Sequence, residues 1–291
     1  MSPIEEPEQS NPAPPPTPVS NIPSAEDGPP TEFPTFAASR TNCQSEPPVY
    51  PPWSWWDMVA VVGFTVATIV LFSAIALGIA HLFTASRKVP FGELATSTAV
   101  LIGGQVAAYP LVILFMALVV RNKTDEGFWR AIRWNWPPSA AGFLIAGMAF
   151  AFAIEYASRW LPIPKSLPVD QYFSEITGAY LMAAFGVTLA PLFEELVFRG
   201  MFYPLARKSA GVAPAILLTG TFFAAIHGTQ LGYAWAPLVS IFVVGVVFTL
   251  VRERTGSVAA SFAMHCGYNL TLFGLLWVSS DHFRHLERLM E

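Results

Sequence analysis

Apolar positions in this chain gather into long runs, and the polar ones fall in short stretches between them. Residues 59–83 hold no Asp, Glu, Lys or Arg, which is enough helix to cross ~30 Å of hydrocarbon. Comparable runs occupy 95–120, 140–160, 177–206, 212–227, 234–251 and 257–279. Runs of this length predict membrane helices rather than strands. Pro110 falls inside the second run and Glu155 near the end of the third; membrane helices tolerate such a proline, usually with a kink. The pattern therefore predicts an all-α, polytopic transmembrane helical bundle of about seven spans. Trp53, Trp55 and Trp56 stand beside the first run and read as an interfacial aromatic belt.

Composition agrees. Hydrophobic residues make up 53% of the 291 positions, charged residues only 12%, and the mean hydropathy is +0.47. That charge fraction is about half that of a soluble chain, so lipid is the natural solvent for most of the molecule. The net charge of −4 argues against a nucleic-acid partner, which calls for basic patches. Cys43 and Cys266 are the two cysteines; they build neither a disulfide framework nor a cysteine zinc site.

Residues 1–52 differ from the rest. They hold 15 of the 26 prolines, and Arg40 is their one basic residue. Such a segment cannot bury a core, so it reads as a disordered, acidic, proline-rich tail. Glu5, Glu6 and Glu8 with no apolar stretch exclude a signal peptide there. The expected organisation is this tail, N-terminal membrane helices over 53–173, a core over 174–280, and a short tail over 281–291. Arg121, Lys123, Arg130, Arg133, Arg207, Lys208, Arg252 and Arg254 would lie at one end, against Arg87, Lys88, Arg159 and Lys165 at the other. Positive residues favour the cytoplasm, which predicts a multi-pass membrane protein with its N-terminus inside.

Ionisable side chains at membrane depth are costly and mark function by default. Three groups stand out: Glu194-Glu195-x-x-x-Arg199, Phe223-x-x-x-His227 and His265-x-x-x-Asn269. Glu195 and Arg199 are four apart with the acid first, the favourable order for a helical pair. Glu194 points ~140° away from Arg199 around a 3.6-residue helix. One acid is thus neutralised as structural support, and the other is free for chemistry. Ser209-Ala210-Gly211 predicts a turn; Glu194 lies 16 residues before Ala210 and His227 17 after it. In an antiparallel hairpin both then sit ~25 Å from the turn, so they are expected to face each other. His265 and Asn269 share a helix face, and Asn269 lies ~20 Å from a turn at Thr255-Gly256.

This set suits amide hydrolysis. Glu194 with His227 would activate a water, and His265 with Asn269 would donate hydrogen bonds to the oxyanion. No cofactor is then needed. In the alternative chemistry Glu194, His227 and His265 bind zinc with an open position for water. No His-Glu-x-x-His motif is present. Two other classes compete: a non-catalytic membrane scaffold, in which these residues brace the bundle, and a transporter relaying protons through Glu194 and His227. Asn269 has no task in a relay.

The three motifs together resemble those of the CPBP family of intramembrane peptidases, also called the CAAX-processing and bacteriocin-processing or Abi family. The likeness covers residues 175–280. It implies an endopeptidase acting on membrane-bound or prenylated protein substrates, with Glu194 as water-activating base, His227 as its partner and His265 with Asn269 as oxyanion site. Phe223 belongs to the second motif. The family has been described both as metal-dependent and as glutamate-dependent, and some members act in bacteriocin self-immunity or as scaffolds.

Overall fold

The computed structural model describes residues 51–84 and 89–285. The expected tail over 1–52 lies almost wholly outside these residues, as do Arg87, Lys88 and 286–291. All regular structure in the described residues is helical.

The first apolar run forms α1, Trp55–Thr84. Ser54 and Asp57 cap it reciprocally: Ser54 donates its backbone N–H and hydroxyl to Asp57 Oδ2, both at 2.7 Å, and accepts from the Asp57 N–H. After it come α2, Phe91–Ala95, α3, Thr98–Arg121, α4, Phe128–Ala131, and α5, Ala140–Ser158. A 3₁₀ turn over Pro168–Phe173 leads to α6, Ile176–Val187, and α7, Leu189–Glu195. A π-helical segment, Leu196–Phe202, joins α7 to α8, Tyr203–Ala210. Then follow α9, Val212–Ile226, α10, Trp235–Thr255, and α11, Val258–Ser279. Gly211 and Gly256 make the two expected turns at φ 83° and 65°, values that glycine adopts without steric cost.

The helices pair as α1 with α3, α5 with α11 and α9 with α10. Small residues allow close approach, as in other membrane helix pairs. On α5 and α11 the fit is mutual: a side chain at Gly147 would strike the Met264 backbone, and one at Gly267 would strike that of Leu144.

Three expectations change. Among the described residues five helical stretches are long and apolar enough to cross a membrane: Trp55–Thr84, Thr98–Arg121, Ala140–Ser158, Ile176–Ala210 and Trp235–Thr255. The count of seven is not reached. The 15 residues of α9 rise only ~22 Å, and α11 is diluted by its own His265, Tyr268 and Asn269. Second, the run 177–206 is not one straight helix. Pro191 has no N–H, and its ring crowds the carbonyl of residue 187, so the chain breaks at Thr188 (φ −120°, ψ −72°). Pro204 does the same to Gly200, and the preceding turn relaxes to π spacing, with Tyr203 N–H bonded to Phe198 O. Third, Trp53 is not part of a belt. It is 1% exposed and its indole donates to Met201 O at 3.0 Å, whereas Trp56 is 82% exposed.

The molecule is an integral membrane protein by its apolar helices. One end of the bundle gathers the basic loops: Lys123 pairs with Asp57 (3.5 Å), Arg207 with Glu253 (3.1 Å), and Val258 N–H donates to Arg133 O. The start of α1 lies at this end, because Trp55 donates to Ser209 Oγ (3.0 Å).

Candidate active site

The site grows from the irregular stretch of α7 and the π segment. Glu195 ends α7 and Arg199 lies one turn on; both are fully buried and pair at 2.9 Å. A buried pair survives only if its other donors and acceptors are met, and here they are. Arg199 also donates from Nη2 to Gly245 O (2.9 Å) and from Nε to Thr249 Oγ1 (3.3 Å). Its guanidinium lies 4.6 Å from the Phe223 ring centre and 5.5 Å from that of Phe248, within cation–π range. The second Glu195 oxygen accepts from Ser261 Oγ at 2.6 Å.

His265 joins the two acids. Its Nδ1 is 3.0 Å from Glu195 Oε1, and its Nε2 is 3.7 Å from Glu194 Oε2. A carboxylate can only accept, so Nδ1 carries the hydrogen, and in a neutral ring this leaves Nε2 with a lone pair towards Glu194. The ring rests on Phe248, centroids 4.7 Å apart. Glu194 keeps 18% of its side chain exposed, while Glu195 keeps none. The two neighbours therefore differ in setting, one sealed in the core and the other partly exposed. Beside them, Phe193 stacks on Tyr109 of α3 at 4.1 Å and 6°.

His227 is placed apart from this pair. It is the residue after α9, and its Nδ1 is 2.8 Å from Phe223 O. The carbonyl accepts, so Nδ1 is the donor and Nε2 is an acceptor. No hydrogen bond or ion pair joins it to Glu194 among the described residues. The expected Glu194–His227 pair is replaced by Glu194–His265. Phe223 stands between the two histidines, 5.1 Å from His227 and 5.9 Å from His265. Asn269, one turn beyond His265, donates from Nδ2 to Gly186 O at 2.7 Å. That carbonyl lies at the end of α6, where the chain breaks. Among the described residues no three His, Cys, Asp or Glu side chains are grouped as a metal requires.

Gly245, Thr249 and Ser261 were not foreseen from the sequence. Ser261 carried a signal, since Ser261, His265 and Asn269 recur every four residues on α11 and form one stripe. Gly245 acts through its carbonyl, which no sequence pattern marks.

Fold and site together define an all-helical membrane protein with a Glu-Glu-Arg and histidine set buried among its last helices. Residues 176–271 match the family model described as type II CAAX prenyl endopeptidase Rce1-like. This stretch runs from α6 into α11 and holds every residue of the three motifs. The chain is also 28% identical over 167 residues to UPF0177 protein YbdI of Lactococcus lactis subsp. lactis (strain IL1403), a match covering 55% of this chain and 88% of that protein. No solved structure matches. The resemblance to the CPBP intramembrane peptidases thus holds over this stretch, and a peptidase is supported at the level of the family.

Proposed function

We propose that the protein is a glutamate-dependent intramembrane endopeptidase that cleaves a membrane-associated, CAAX-type prenylated protein or peptide. The observation that carries this reading is His265 standing between Glu195 and Glu194. Glu194 Oε2 and His265 Nε2 both face one gap of 3.7 Å as acceptors. A water seated beside both atoms, rather than between them, can donate one O–H to each. Such a water presents its lone pairs to an incoming carbonyl.

In this mechanism Glu194 takes a proton from the water as its oxygen attacks the scissile carbonyl carbon. The tetrahedral oxyanion accepts from the second N–H of Asn269, whose first goes to Gly186 O. Glu194 then returns the proton to the leaving nitrogen as the C–N bond breaks. Glu195 holds the His265 ring in its tautomer. His227 offers Nε2 to the substrate side of Phe223 as an acceptor for a peptide N–H. Metal-dependent hydrolysis through Glu194, His227 and His265 is the competing chemistry. The separate hydrogen bonds of the two histidines favour the metal-free form.

The test is cleavage of a prenylated, membrane-tethered peptide by purified protein in proteoliposomes. Glu194→Ala is expected to lower the rate by ~10²–10⁴, the range for loss of a general base, with circular dichroism unchanged. Normal turnover by that variant would reject the mechanism. Metal analysis of the same preparation is expected to find no stoichiometric zinc; zinc lost together with activity on chelation would overturn the metal-free preference.

A further inference from the structure

We propose that a pocket lined by arginines at the basic end of the bundle binds a phosphate-bearing anion, such as the headgroup of an anionic phospholipid. Two adjoining cavities of about 140 and 150 Å³ share Arg133, Pro204 and Arg252 in their walls. The second adds Tyr203, Arg207 and Glu253. Glu253 is already engaged, accepting from Tyr203 Oη at 2.7 Å and pairing with Arg207 at 3.1 Å. The first cavity is also lined by the exposed Glu126, so across the two cavities three guanidiniums face two carboxylates, one of them already engaged.

Arg252 and Arg133 are the unbalanced pair. Arg252 is only 5% exposed, and its Nε donates to a neutral acceptor, Arg199 O, at 3.3 Å. Arg133 is close enough to repel it. Among the described residues no ion pair joins either to an acid. Glu253 is near Arg252 but is shared with Arg207, and the exposed Arg133 borders the same cavity, so positive charge is in excess beside a buried guanidinium, which is unfavourable. An anion between Arg252 and Arg133 offsets that excess. Phosphate suits the planar, forked donors of arginine, and cavities of this size hold a headgroup phosphate rather than a folded peptide segment. The pocket lies at the same end as the exposed Trp56 and the basic loops, where headgroups sit.

Arg252 links the pocket to the active site, because its acceptor belongs to the residue that holds Glu195. The pocket itself stands apart from Glu194 and does not rest on the proposed hydrolysis.

The test uses the full chain in nanodiscs of phosphatidylcholine, with and without phosphatidylglycerol, read by native mass spectrometry of retained lipid. Inorganic phosphate is titrated separately by thermal shift. Arg133 is exposed, so Arg133→Gln should fold, and Arg159→Gln at the other end is the control. Loss of about tenfold in phosphatidylglycerol retention is expected for Arg133→Gln and for Arg207→Gln, matching the worth of a charged hydrogen bond, with the control unchanged. Arginine-dependent binding of inorganic phosphate without lipid preference supports the same pocket with a soluble phosphate as its source. Equal lipid and phosphate binding in folded wild type, Arg133→Gln and Arg207→Gln overturns the proposal.

Discussion

At the scale of residues, two neighbouring acids are held in different settings. Glu195 accepts from Arg199, Ser261 and His265 and is fully buried, so it is out of reach of a substrate. Glu194 faces His265 across a wider gap of 3.7 Å. Arg199 is the keystone, because it spends its donors on Glu195, Thr249 and Gly245. Arg199→Ala is therefore expected to cost about 3–5 kcal/mol, as for a broken buried pair, measured by denaturant titration in detergent. Arg199→Lys should recover little, since an ammonium cannot reproduce the forked geometry. Full stability of either variant would refute this role. The Glu195–Arg199 pair was legible from spacing alone, and so was the accessible Glu194. The partner of Glu194 was not. The level-matching of Glu194 with His227 assumed straight helices, whereas α9 ends at Ile226 and the His227 ring is tied back to Phe223 O.

At the scale of elements, the irregular backbone around the site has assignable causes. Pro191 and Pro204 each remove an N–H and crowd the carbonyl four residues earlier. The carbonyls loosened by the π segment are met by side chains from other elements, Met201 O by Trp53 and Arg199 O by Arg252, as buried backbone requires. Irregular turns of this kind are frequent at functional sites. Pro204→Ala restores a donor for Gly200 O and should let the segment return towards α spacing, turning Arg199 and Glu195 relative to α11. The expected outcome is at least tenfold lower peptide cleavage with helical content retained; unchanged turnover would show that the π segment has no bearing on the site. The prolines were visible in the sequence, but their consequence was not. A membrane proline more often kinks a helix than splits it, and only tertiary bonds such as Trp53 to Met201 O decide which occurs.

At the scale of the whole molecule, the all-helical membrane class was readable from run length and low charge, while the number of spans was not. In α11 the polar His265, Tyr268 and Asn269 interrupt the apolar run, which weakens the signal by which spans are counted. The basic end gathers the start of α1 with the loops carrying Lys123, Arg207 and Arg133, and we propose, from the positive-inside rule, that this end faces the cytoplasm. In a background with Cys43 and Cys266 replaced, Asp125→Cys should react with an impermeant thiol reagent only from the cytoplasmic side, and Trp160→Cys only from the other. The reverse pattern would invert the topology.

The central claim is that Glu194 makes this bundle a peptidase acting in the membrane. The most direct measurement is mass spectrometry of membrane-protein termini in cells carrying the wild-type chain and in cells carrying Glu194→Ala at equal abundance. The account predicts a defined set of termini present with the wild type and lost in the variant, each replaced by its uncleaved precursor. Identical termini in the two strains would contradict it and leave the Glu-Glu-Arg and histidine set as bracing for a non-catalytic scaffold.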